Sequence, residues 1–136
     1  MRFVCEKTLD IYRKGGLCEY CHKPCRAREP NHLIGRGFGG GFRLDVHCNL
    51  IALGQTVTWQ CRCHMLFHHC GISQGEMAAV IAVRERVTSH DLMRVLWWIE
   101  ALDKHSSRGR IERLLGELDE PCKALAERVL KEMGKW

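Results

Sequence analysis

Cys18-Glu19-Tyr20-Cys21 sets two thiols three positions apart, and Cys61-Arg62-Cys63 sets a second, tighter pair about forty residues later. Zinc takes four soft, deprotonated ligands held on short turns, and a small loop-rich module draws much of its folding free energy from binding it. The two pairs therefore predict one structural Zn2+ on Cys18, Cys21, Cys61 and Cys63. A standard knuckle uses CxxC twice, so the CxC spacing is a departure that leaves Cys25 or Cys48 as alternatives to Cys61. The second pair runs directly into His64-Met65-Leu66-Phe67-His68-His69-Cys70-Gly71. On a helix, His64 and His68 share a face and can ligate one divalent ion, His69 points elsewhere, and Gly71 ends the helix.

Upstream lies Pro30-Asn31-His32-Leu33-Ile34-Gly35-Arg36-Gly37-Phe38-Gly39-Gly40-Gly41, followed by Arg43-Leu44-Asp45-Val46-His47-Cys48-Asn49-Leu50-Ile51-Ala52-Leu53. Taken in order, CxxC, His32, a glycine-rich turn, Asn49-Leu-Ile-Ala-Leu and Cys-His-xxx-His resemble the HNH family of nucleases over about 55 residues. Small phage-type members are the most similar in size and in having a helical tail. The resemblance implies a ββα-metal fold, His32 as general base, Asn49 as the brace of the hairpin and base, and Asn31, His64 and His68 around a catalytic divalent cation (Mg2+, Mn2+, Ni2+ or Zn2+). It also implies hydrolysis of DNA to 5′-phosphate and 3′-hydroxyl ends. Two departures stand out. The family usually has Asp or His where this chain has Asn31, a neutral oxygen and a weaker ligand for a hard cation. The stretch 54–60, with Trp59, lengthens the path from Asn49 to His64 and reads as a loop insertion.

Charge and cysteine usage agree with a nucleic-acid partner. Residues 1–72 carry 10 Lys/Arg against 5 Asp/Glu and residues 73–136 carry 11 against 11, so the net +5 belongs to the Cys/His half. Phosphate contacts are expected from Arg36, Arg43 and Arg62, with Arg26 and Arg28 beside them. The glycine run lacks the Gly-Lys-Ser/Thr ending of a phosphate-binding P-loop, which excludes nucleotide binding of that kind. Glu6 and Asp10 interrupt the apolar stretch a signal peptide would need, and no run reaches the ~20 apolar residues of a membrane span. The expectation is a cytoplasmic protein (host cytoplasm if phage-encoded) that uses its thiols for metal rather than disulfides. Two other functions fit the same residues: a zinc-ribbon nucleic-acid-binding module with a decayed nuclease site, and a phage assembly or packaging accessory.

The elements that must position these groups divide near residue 72. Residues 1–14 read as an N-terminal arm or short helix, 15–72 as the HNH module built of short strands and turns, and 73–136 as a helical extension; the fold class is α+β. Ser73 and Glu76 form a capping box ahead of Met77, Val80 and Ile81, and Thr88 or Ser89 caps a helix with Leu92, Val95, Leu96, Ile99 and Leu102 on one face. His105 to Gly109 is a break. Two shorter helices follow, one carrying Ile111, Leu114, Leu115 and Leu118, the other opening near Pro121 and carrying Leu125, Val129 and Met133. The Trp97-Trp98 pair belongs to the core or to a self-association face, so a homodimer or protein partner would use these helices. The second helix opens with Ser89, His90 and Asp91, a poor surface for reading a DNA groove.

Overall fold

The computed structural model describes residues 2–35, 43–55, 61–69, 71–102 and 105–136. Expectations placed on Arg36, the glycine run, Trp59 and Cys70 lie outside the described residues. The chain opens with β1 (Arg2–Phe3) and α1 (Glu6–Arg13), then β2 (Gly16–Leu17), β3 (Pro24–Cys25), β4 (Arg28–His32) and β5 (Arg43–Leu44). A 3-10 turn over His47–Asn49 leads into β6 (Leu50–Gly54) and α2 (Cys63–His68). Four helices follow: α3 (Gln74–Glu85), α4 (Ser89–Ala101), α5 (Arg108–Gly116) and α6 (Glu120–Glu132). The chain is mixed α and β, as its patterning predicts.

The strand β6 organises the rest. It pairs antiparallel with β4, from Arg28 opposite Gly54 to His32 opposite Leu50. All five of its residues are buried. A strand with no polar face must be covered on both sides, because alternate side chains point to opposite faces. Leu50 and Ala52 pack with Leu9 and Tyr12 of α1. Ile51 and Leu53 join the main core. The segment that holds α1 is therefore a cover for the sheet, and β1 also pairs with β5 in parallel, Arg2 opposite Arg43. The guanidinium of Arg28 fastens the end of α1 by donating to the carbonyls of Lys14, Leu17 and Ile11.

The helices beyond residue 72 begin where their caps say they should. Ser73 and Glu76 make both bonds of the capping box, and the side chains of Thr88, Ser107 and Asp119 accept from the third residue beyond each. The helices are not a separately packed unit. One core cluster runs from Cys18, Leu33 and Ile51 to Leu92, Leu96, Val129 and Leu130. Trp98 packs against this core, whereas Trp97 is exposed. Arg84 of α3 fixes the join: it donates to the Glu19 carboxylate at 2.7 and 2.8 Å and to the Leu50 carbonyl at 2.9 Å, and it lies over the Tyr12 ring.

Candidate metal centre and its neighbours

Cys18 sits in the turn between β2 and β3, where its N–H bonds the Lys23 carbonyl and its own carbonyl accepts from the His22 N–H. These bonds close a tight knuckle, and His22 takes the left-handed conformation (φ 62°) to complete it. Cys63 opens α2, with Cys61 two residues before it. The sulfurs of Cys18, Cys21, Cys61 and Cys63 lie within 4.8 Å of one another, with Cys21 and Cys61 at 3.5 Å. A tetrahedral site with Zn–S of ~2.3 Å places its sulfurs ~3.8 Å apart, so four thiolates at this spacing suit a zinc-sized ion. Electrostatics point the same way. Burial pushes the Cys18 thiol upward, but backbone groups at Cys21, Gly54 and Tyr20 outweigh it and bring it down to about 7. Burial and then the neighbouring thiols push Cys63 far up, and burial also raises Cys21. Four thiolates cannot ionise together in this space without a cation among them. Cys48, an alternative to Cys61, is buried elsewhere beside Glu85 and Glu132, and burial raises its thiol to about 12.

Gly54 shapes this centre from the end of β6. A Cβ there would stand 2.3 Å from the Cys61 Sγ and 2.5 Å from the Cys25 Sγ. Only glycine lets the strand end approach the sulfurs so closely. Cys25, the other alternative ligand, is thus a near neighbour of Cys61 while lying outside the four-sulfur group.

A second group of ligand-type side chains forms where α2 packs on the sheet. Asn31 is buried on β4, and its Oδ1 lies 3.1 Å from the His64 Nδ1. The Asn31 Nδ2 donates to the Glu29 carbonyl at 2.9 Å, which turns the amide oxygen toward the histidine. His64 and His68 meet edge to face with ring centroids 4.5 Å apart. Two donors on one ion of bond length ~2.1 Å stand ~3 Å apart at adjacent octahedral corners, so the Asn31–His64 spacing fits a shared cation. Burial, and then His68, depresses the His64 pKa and favours the neutral ring a metal requires; Glu29 opposes this weakly.

His32, the last residue of β4, is held by a group that motif spacing did not single out. Its Nε2 lies 2.7 Å from the Asp45 Oδ1. Asp45 is fully buried. Its other bonds come from the Arg43 guanidinium at 3.0 to 3.2 Å and from the Cys5 N–H at 2.9 Å. Burial raises this carboxyl, but the donated bonds of Arg43, His32 and Cys5 prevail and hold it below the ordinary carboxylate value. Asn49, fully buried, accepts from the Ile34 N–H at 2.9 Å and donates to the carbonyls of Leu44 and Ile34 at 3.0 and 3.2 Å. It clamps the two ends of the segment that contains the glycine run.

The arginines expected on phosphate divide. Arg62 is exposed at the start of α2, and Arg26 is exposed beyond β3. Arg43 is committed to Asp45, with its side chain 14% exposed, and Arg28 to the carbonyls at the end of α1. Asp45 and Gly54 are the residues that sequence reasoning missed. A polar residue two positions after Arg43 was the available signal for the first; nothing local marked the second. Compared with protein-family models, with curated proteins and with solved structures, the chain finds no match. No helix among the described residues is long and apolar enough to cross a membrane.

Proposed function

We propose that the chain is a zinc-stapled endonuclease of the HNH type, in which β4, β6 and α2 form the ββα-metal module and DNA phosphodiester bonds are hydrolysed. One observation carries the reading: Asn31 on β4 meets His64 on α2 across the sheet, while the next residue, His32, is tethered to a buried carboxylate. Asn31, His64 and His68 are the residues that would hold a divalent cation, which when bound would supply charge neutralisation at the phosphate and leaving-group oxygens. The chain's own groups do the rest. An ionised Asp45 can only accept, so His32 donates Nε2–H to it and keeps the Nδ1 lone pair for a proton of the attacking water. Asp45 then stabilises the imidazolium that forms. Asn49 holds Ile34 and Leu44 together, which fixes the backbone just beyond His32. Among the described residues, the exposed Arg62 and Arg26 are left to contact phosphates. A plasmid-nicking assay over Mg2+, Mn2+, Ni2+ and Zn2+ tests the reading: at least one ion should convert supercoiled DNA to nicked or linear product, and a chelator should stop it.

Asn31 also favours a second reading, a zinc-stapled module that binds nucleic acid without cutting it. The amide is neutral, and its Nδ2 is committed to the Glu29 carbonyl. Asn31→Asp separates the two. A nuclease should work at lower cation concentration with the anionic ligand, whereas a binding module should stay inactive with every ion.

A further inference from the structure

Cys25 has no part in the chemistry proposed above, yet its placement is unusual. It lies at the end of β3, partly exposed, and lines an open surface cleft of about 410 Å³ with Gly16, Leu17, Pro24 and Arg26. Its sulfur and that of Cys61 converge on the space in front of Gly54, at 2.5 and 2.3 Å from where a side chain would begin. A thiol that solvent can reach is thus adjacent to one zinc-ligand candidate.

We infer that Cys25 is an oxidation site through which a peroxide opens the metal centre. The inference rests on the reading of Cys18, Cys21, Cys61 and Cys63 as a zinc site. The peroxide transfers one oxygen to the Cys25 sulfur, which becomes a sulfenic acid, and water leaves. The Cys61 sulfur then attacks the Cys25 sulfur, a proton joins the departing hydroxide to give a second water, and a Cys25–Cys61 disulfide forms. Two thiols are oxidised by two electrons in total and one peroxide is reduced to two waters. The ion is left with three thiolates and is lost. The glycine at position 54 makes the step geometrically available, because any side chain there would stand between the sulfurs. The structure supplies the reaching thiol and its partner on the same side of the strand end, while the other three ligands remain deeper or in the knuckle.

The test uses the zinc-loaded full chain and hydrogen peroxide, with zinc release followed by a chromophoric chelator and the disulfide located by mass mapping of peptides. Wild type should release its zinc as a Cys25–Cys61 disulfide appears. Cys25→Ser should release it at least about ten-fold more slowly, and Cys122→Ser at the wild-type rate. Equal release from wild type and Cys25→Ser, or a disulfide confined to Cys18, Cys21, Cys61 and Cys63, overturns the inference. Mapping on the wild type does not depend on how well the variant folds. Protein that purifies without zinc would instead refute the metal reading, and the appearance or absence of the Cys25–Cys61 bond would still decide whether these two thiols pair.

Discussion

Asp45 shows what a single buried charge does for this molecule. Its carboxylate carries bonds from His32, Arg43 and Cys5, so it both aims the imidazole and ties β4, β5 and the start of α1 together. Asp45→Asn should lower stability by about 2–4 kcal/mol, since Arg43 loses its partner in a largely dry site, and should lower cleavage by about 10²-fold or more by freeing the tautomer of His32. Urea unfolding and single-turnover cleavage check the two parts. The pH dependence has a definite sign. The folded carboxyl titrates below the ordinary aspartate value, so its stabilisation is present above that value and is lost as pH falls through the depressed one. Acid unfolding of wild type should steepen below this point, and Asp45→Asn should flatten that limb. Gly54→Ala is a complementary test: a methyl group 2.3 Å from the Cys61 sulfur must displace it, and zinc affinity in a chelator competition should fall by about 10–100-fold.

Among the elements, α2 is the most dependent on its surroundings. It has only six residues, and a helix so short does not persist in water on its own. Cys63 at its first position and packing on β6 hold it, and through it His64 and His68 keep their place. Removing zinc should therefore raise amide exchange in residues 15–25 and 61–69 while α4 and α6, whose Leu92, Val95, Leu96, Val129 and Leu130 are fully or almost fully buried, stay protected. Uniform exchange across the chain would contradict this order. The elements also show where sequence was informative. Caps at Ser73 and Thr88, and the close spacing of the paired thiols, are local signals read within a few residues. The Asp45–His32 bond spans 13 positions and the Cys25–Cys61 approach 36, and no periodicity reports such contacts. The N-terminal helix was legible as a short helix, but its role as cover for Leu50 and Ala52 follows from β6 being buried on both faces, which appears only when β4 and β6 pair.

At the scale of the molecule, the composition boundary near residue 72 marks a change of chemistry, not of packing. The Cys/His half carries the net charge and the ligand-type side chains, but one face of its central strand, through Ile51 and Leu53, is buried in a core shared with helices of the other half, while α1 covers the other face. Arg84 is the clearest link, since one guanidinium binds Glu19, the carbonyls of His47 and Leu50, and the face of Tyr12. Arg84→Ala should cost about 3 kcal/mol, because it takes the cation from the part-buried Glu19 carboxylate and one donor from each of two carbonyls, and a fragment of residues 1–72 should not fold stably even with zinc. Thermal denaturation and the NMR dispersion of the fragment report on these outcomes. The same division predicts that DNA binding belongs to the first half and weakens steeply with salt. The most direct measurement of the central claim is single-turnover plasmid cleavage by wild type and His32→Ala in the cation that supports activity. Zinc content, thermal stability and DNA affinity should match between the two, with cleavage by the variant down at least about 10²-fold. Near-normal turnover by His32→Ala, or DNA binding by wild type with no cleavage in any divalent cation, would contradict the account.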